Sequence, residues 1–147
     1  QEGNPKAFPF TKPKVDGLNF SFSGLKTQIL YFVQKNVALN PNFIEENKAD
    51  ICASIQYTII NILMDKLKLA VAETGINQIA IGGGVSANSG IRTTLKEAEK
   101  KYGWKTYIPK FEYTTDNAAM IGIVGYYNFL EENFSENDVV TKARIEF

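Results

Sequence analysis

The chain has 147 residues, 44% hydrophobic and 22% charged, the composition of an ordinary globular domain built around one core. Sixteen basic residues balance sixteen acidic ones, so there is no net field to collect a polyanion. Histidine is absent and cysteine occurs once, which excludes Ser-His-Asp and Cys-His catalysis, any His-based metal site made by this chain alone, and an intrachain disulfide.

Residues 1–20 carry Pro5, Pro9 and Pro13 with Gly3 and Gly17, and read as an extended lead-in. The chain opens on Gln1-Glu2-Gly3 rather than Met and shows no charged-then-apolar leader. The expectation is a trimmed product or a piece of something longer, in a reducing, cytoplasmic setting. Apolar runs such as Ile59-Ile60 fall far short of the ~20 residues that a membrane-spanning helix needs, and no membrane partner is expected.

Ser23 is placed to cap a helix in which Leu25, Ile29, Leu30, Phe32, Val33 and Val37 recur at helical spacing, with Asn40-Pro41-Asn42 as its end. Asn47, with Asp50 three residues on, reads as the cap of a longer helix that runs to Gly75. Ile51, Ile55, Ile59, Leu63, Leu67 and Val71 mark its apolar face, and Cys52 beside them is expected to be buried and inert. Gln78-Ile79-Ala80-Ile81 then forms a short strand, followed by Gly82-Gly83-Gly84. A helix from about Ser86 turns Ile91, Leu95, Ala98 and Tyr102 inward and stops at Gly103, with Lys96 to Lys101 as a solvated face. Lys105 to Ile108 reads as a second strand ended by Pro109. Thr114 or Thr115 is expected to cap a last helix, Asp116 to about Leu130, in which Ala118, Gly122 and Gly125 form a close-packing strip. Val139-Val140 is a possible short strand. Strand–helix–strand–helix with short loops is a parallel βαβ unit, right-handed by the usual rule. Two strands make an incomplete sheet that wants partner strands.

Three segments could carry chemistry. The glycine turn with Asn88 lies between a strand and a helix, where glycines admit positive φ and close approach of another molecule. The helix start beyond it offers free amides to a phosphate or carboxylate, and an Asn there can read a ribose hydroxyl or a carbonyl. Gly82, Gly84 and Ala87 also fit a dinucleotide pattern, but Lys105 to Lys110 lacks the acid that should hold the ribose. A tight turn without a ligand is the other reading. Asp116, after the second strand, should share the sheet edge with the glycine turn. It could bind a metal that bridges phosphates, or merely complement the helix dipole. Ser21, Ser23 and Lys26 are most simply a helix cap with alternating Phe core contacts from Phe20 and Phe22, rather than a Ser/Lys nucleophile.

Taken together, Phe20-Ser21-Phe22-Ser23-Gly24-Leu25-Lys26-Thr27, then Gly83-Gly84-Val85-Ser86-Ala87-Asn88 with Arg92, then Thr115-Asp116-Asn117-Ala118-Ala119-Met120-Ile121 resemble three motifs of the TsaD family, in family order and spacing. These are the tRNA threonylcarbamoyladenosine synthases, once called O-sialoglycoprotein endopeptidases. The resemblance spans nearly the whole chain. It implies the ASKHA fold, the two-lobed actin-like architecture, with this chain as the C-terminal half: α/β, helix-rich, with an incomplete parallel sheet. The parts would be a lead-in over 1–22, a helical subdomain over 23–75 and the βαβα part of the second lobe over 76–147.

The implied activity is transfer of threonylcarbamoyl from threonylcarbamoyl-adenylate to the adenosine beside the anticodon of tRNA. By motif match Asp116 resembles the family's metal-ligand aspartate, Asn88 the asparagine that contacts the adenylate, and Gly83 and Gly84 line the same loop. One divalent metal, iron or zinc, would act as Lewis acid and template. TsaB-like and TsaE-like accessory proteins are implied partners. The family's two metal-binding histidines lie in the N-terminal half and this chain has none. No catalytic residue is therefore assigned, and the chain is expected to be metal-free and inactive without its N-terminal lobe. Two other readings stay open: a non-catalytic module that associates through the open sheet edge, including with itself, and another ASKHA phosphotransferase such as a sugar kinase. Peptide hydrolysis has no His, Cys or zinc-binding helix to carry it.

Overall fold

Residues 2–136 and residue 140 are described by the structure, a computed structural model. Two helices come first, α1 (Ser23–Leu39) and α2 (Phe43–Thr74). Their ends fall at the expected signals: Asn40 follows α1, and Gly75 at φ 70° closes α2 in the left-handed conformation that glycine tolerates best.

Their starts differ from expectation. Phe22, not Ser23, precedes α1 and makes no side-chain cap bond. Helix α2 begins at Phe43, with Asn42 before it, and Asn47 lies within the helix, where its Nδ2 donates to the Phe43 carbonyl. The cause is a turn organised by Asn40. Its Oδ1 accepts from Asn42 N at 3.0 Å, its carbonyl from Phe43 N at 2.9 Å, and its Nδ2 donates to Glu46 at 2.8 Å. Glu45 and Glu46 in the first turn complement the helix dipole. Phe43 is thereby placed edge-on against Phe8 and Phe32, with ring centroids 5.8 Å from each.

The lead-in is bound to both helices. Asn4 N donates to Asp50 at 2.7 Å, Phe8 N to Ser54 Oγ at 3.1 Å, and Thr11 N to Gln28 at 2.9 Å. Lys66 donates to the carbonyls of Val15 and Gly17. Gly3 passes so close to α2 that a Cβ would lie 2.0 Å from the Ala49 carbonyl oxygen.

Next come β1 (Gln78–Ala80), α3 (Ser89–Tyr102) and β2 (Lys105–Tyr107). The strands pair in parallel, Gln78 opposite Lys105, Ile79 opposite Thr106 and Ala80 opposite Tyr107, in a two-stranded sheet. The result is a helix-rich α/β fold. Its core joins Met64 of α2 to Ile79, Ile91, Leu95, Ala98 and Trp104, with Leu63, Leu67 and Val71 packed against them. Ile91, Leu95 and Ala98 point inward as expected. Tyr102 does not: it lies exposed 5.3 Å from Trp104, which takes the buried place. Glu99 accepts from both the hydroxyl and the amide of Thr106. Those bonds, led by the hydroxyl and helped by Lys96, hold its carboxyl down at about 2.

The apolar stripe of α2 is only partly covered. Ile51 is buried, but Ile55 and Ile59 are half-buried and Cys52 is exposed, contrary to expectation. Phe20 and Phe22 are likewise exposed, stacked on each other at 6.3 Å rather than set in a core. The last helix, α4 (Ala118–Leu130), has no buried residue at all. A Cβ at Gly122 or Gly125 would meet nothing within 4 Å, so the expected small-residue strip packs against no described neighbour. Of the expected Val139-Val140 strand, Val139 lies outside the described residues and Val140 is exposed and in no strand.

Candidate functional site

Parallel pairing sends the exits of β1 and β2 to one sheet edge. Off β1, Gly83 adopts φ 73° and ψ 176°, a conformation that is essentially glycine-only. Its carbonyl accepts from Ser86 N at 3.0 Å and from Ser86 Oγ at 2.7 Å. Gly84–Ala87 then form one 3₁₀ turn, so the helix expected from Ser86 starts three residues later, at Ser89. Asn88 is its N-cap rather than a first-turn residue: Oδ1 accepts from Ile91 N at 3.1 Å. Gly82, Gly83 and Gly84 are exposed, and a Cβ at any of them would meet nothing within 4 Å. Packing within this chain therefore does not dictate Gly82 or Gly84. A turn bare of side chains leaves its backbone open to another molecule.

Asn88 also lines an open cleft of about 700 Å³, walled by Leu25 and Ile29 of α1, Ile55 and Ile59 of α2, and Ile91 of α3. Phe22, Lys26 and Cys52 contribute to the same walls. The uncovered apolar stripe of α2 and the exposed Phe22 are thus explained together: they face this cleft, not a core.

Off β2, Arg92 ties the exit to the glycine turn. Its Nη1 donates to Ser86 O at 2.8 Å and its Nη2 to Pro109 O at 2.5 Å. Asp116 lies seven residues beyond Pro109, exposed, and outside the helix it was expected to open. Asn117 is the cap of α4, its Oδ1 accepting from Met120 N at 3.2 Å. Thr114 and Thr115 do not cap: Thr114 is buried with its hydroxyl on the Phe111 carbonyl, and the Thr115 carbonyl accepts from Asn117 Nδ2. Asn is as strong a cap as Asp and here immediately precedes the apolar run, so it sets the boundary. The structure thus gathers Gly83, Gly84, Asn88 and the β2 exit on one edge, with Asp116 on the segment leading away. Among the described residues, no group of three or more Cys, Asp or Glu side chains could hold a metal ion, so Asp116 alone does not complete a metal site.

Arg92 belongs to the second motif, but residue type alone assigns it no task there. Its spacing of i, i+4 from Asn88, on the face that looks back over the helix start, is the signal that marks it.

A parallel βαβ unit whose first loop is a bare glycine turn feeding an Asn-capped helix makes this a helix-rich α/β protein with an open turn at its strand–helix junction. A family model described as TsaD, tRNA N6-adenosine threonylcarbamoyltransferase, matches residues 1–123. The chain belongs to that family. A tRNA N6-adenosine threonylcarbamoyltransferase of Christiangramia forsetii is 67% identical over 147 residues, covering 100% of this chain and 43% of that protein. Relatives of the same name from Cytophaga hutchinsonii and Thermosipho melanesiensis are 51% and 44% identical, over 99% and 88% of this chain and 42% and 38% of their own lengths. The chain spans less than half the length of these relatives. Among the described residues, no helix is long and apolar enough to cross a membrane.

Proposed function

We propose that this chain forms most of the second lobe of an ASKHA-fold transferase that moves threonylcarbamoyl from threonylcarbamoyl-adenylate to N6 of the adenosine beside the anticodon of tRNA. The observation that carries the reading is the shared edge, where the glycine turn, the Asn88 cap and the β2 exit meet through Arg92. In that reaction the adenosine amine attacks the carbamoyl carbonyl, the bond to the phosphate oxygen breaks, AMP leaves with the electron pair, and the amine proton passes to solvent.

The turn backbone and the first amides of α3 suit the phosphate that gains charge as AMP leaves. Asn88 keeps its cap through Oδ1 and has Nδ2 to offer the nucleotide. The apolar cleft beside it accepts a flat base or the covering lobe. Asp116 would be one ligand of a divalent iron or zinc ion whose other ligands come from outside the described residues. Helix α4 supports the lobe reading: a helix apolar on every side belongs inside a larger body, and the relatives are more than twice as long as this chain. TsaB-like and TsaE-like proteins are the partners this reading carries, and activity is assigned to the two lobes together.

The test uses a protein of family length that includes this chain, supplied with threonylcarbamoyl-adenylate and tRNA. Modified adenosine is measured by mass spectrometry of nuclease digests. Transfer that vanishes on Asp116→Ala is expected. Phosphate transfer from ATP to a small hydroxylated substrate, without tRNA modification, would refute it in favour of a kinase.

A further inference from the structure

The β1–β2 ladder is short, and its last rung is Ile81 N donating to Tyr107 O at 3.1 Å. Beyond that rung the two loops of the candidate site diverge, and the glycine turn carries no side chain that could reach across. Arg92 spans the gap. It is half-buried in the first turn of α3, its backbone N donates to Asn88 O at 3.1 Å, and its guanidinium donates to one carbonyl on each loop, Ser86 and Pro109. Both acceptors are carbonyls, and none of the salt bridges among the described residues involves Arg92. The charge is therefore not consumed in an ion pair. It stays between the two loops, next to the turn backbone.

A guanidinium is suited to this because its two terminal nitrogens lie in a rigid plane and donate in diverging directions at once. A lysine ammonium concentrates its charge at one point on a flexible stem and lacks that fork. We propose that Arg92 is a positioning residue: it locks the glycine turn and the segment leading to Asp116 in one register, and so sets the spacing between what the turn binds and what Asp116 binds. The clamp stands on geometry alone. Its consequence for transfer rests on the function proposed above.

The experiment compares Arg92→Lys and Arg92→Ala with the parent, all in the family-length protein, by amide hydrogen exchange. Ser86 and Asn88 report on one loop, since their amides are bonded to Gly83 O and Val85 O, and Tyr113 and Thr114 report on the other through Lys110 O and Phe111 O. Losing one or two charge-assisted bonds should speed exchange at all four amides about 10- to 100-fold. Amides in the middle of α2 should stay within about threefold. Arg92→Lys should keep the parent's urea midpoint without restoring loop protection, and it carries the test if Arg92→Ala fails to fold. Unchanged exchange at either loop in Arg92→Lys overturns the clamp, as does a rise spread evenly over the molecule.

In the family-length protein, a residue that only stabilises the fold would reduce the active fraction and so kcat alone. A positioning residue should raise KM for threonylcarbamoyl-adenylate about tenfold in Arg92→Lys, and an unchanged KM overturns its role in transfer. If the parent protein transfers nothing to tRNA while loop exchange still responds, the functional reading fails and the clamp survives.

Discussion

Gly83 and Gly84 are neighbours with different reasons to be glycine, and that difference can be measured. Gly83 sits at φ 73° and ψ 176°, where a side chain is strained by about 1–3 kcal/mol whatever space surrounds it. Gly84 lies in a 3₁₀ turn without positive φ, and a Cβ there meets nothing within 4 Å. Replacing either by Ala removes about the same conformational freedom from the unfolded chain, a gain of about 0.4–1 kcal/mol. That gain cancels when the two variants are compared, which leaves the strain. Gly83→Ala should therefore be about 1–3 kcal/mol less stable than Gly84→Ala. Relaxing the turn offers no escape, because the Gly83 carbonyl holds both the amide and the hydroxyl of Ser86, bonds of about 0.5–1.5 kcal/mol each. Urea unfolding followed by far-UV circular dichroism measures the gap, with equal slopes required for the comparison. Variants that coincide within about 0.3 kcal/mol, or Gly84→Ala being the weaker, would refute the conformational argument. In the family-length protein the order should invert for binding, since a methyl at Gly84 strains nothing yet stands on the open turn, so threonylcarbamoyl-adenylate affinity should fall while stability does not.

Three further outcomes follow from the same structure. Asn88→Ala should cost about 1 kcal/mol of stability through the lost cap, whereas Asn88→Asp keeps the cap. Calorimetric titration with a non-hydrolysable adenylate should show both variants weakened in the family-length protein, since neither retains the side-chain amide donors. Glu99, held at about 2 against an ordinary 4.5, contributes stability that is complete above its ordinary value and is lost as pH falls toward about 2. The urea midpoints of the parent chain and Glu99→Gln should accordingly converge between about pH 5 and pH 2, and a gap that is constant with pH would contradict the assignment. Cys52 is exposed, so a disulfide reagent should label one thiol in the folded chain without denaturant, and a thiol that reacts only after denaturation would contradict its placement.

How far the chain could be read in advance depends on what each signal encodes. Gly75 and Gly103 were legible because a left-handed residue after a helix is a local event, and both adopt it, at φ 70° and 69°. The parallel order of β1 and β2 followed from element sequence alone. Helix starts were less legible. Asn42 and Asn47 both qualify as caps by residue type, as do Thr114, Asp116 and Asn117, and tertiary contacts decide between them. Phe43 is drawn into the Phe8–Phe32 cluster and α2 starts there. That the glycine turn and the β2 exit share one sheet edge was legible from the parallel order of the strands. The tie between its two loops was not, because a bond from Arg92 to a carbonyl seventeen residues away leaves no local pattern.

Cys52 and α4 show what periodicity leaves out. Spacing of i, i+4 states which residues share a helix face, never what lies opposite. The stripe through Ile55 and Ile59 is a true apolar face, yet its neighbour is the cleft beside Asn88, not the core around Leu95. Helix α4 makes the same point more strongly. Met120, Ile121, Ile123, Val124, Tyr126, Tyr127, Phe129 and Leu130 are exposed on every side of one helix. A two-fold contact with a second copy would cover one face of such a helix and leave the others wet. Only a body that surrounds it removes them all from water. The cleft is lined in part by Val85 and Asn88, so whatever covers it also borders the candidate site. Under the function proposed above that cover is the other lobe, which would make the candidate site one half of an interface.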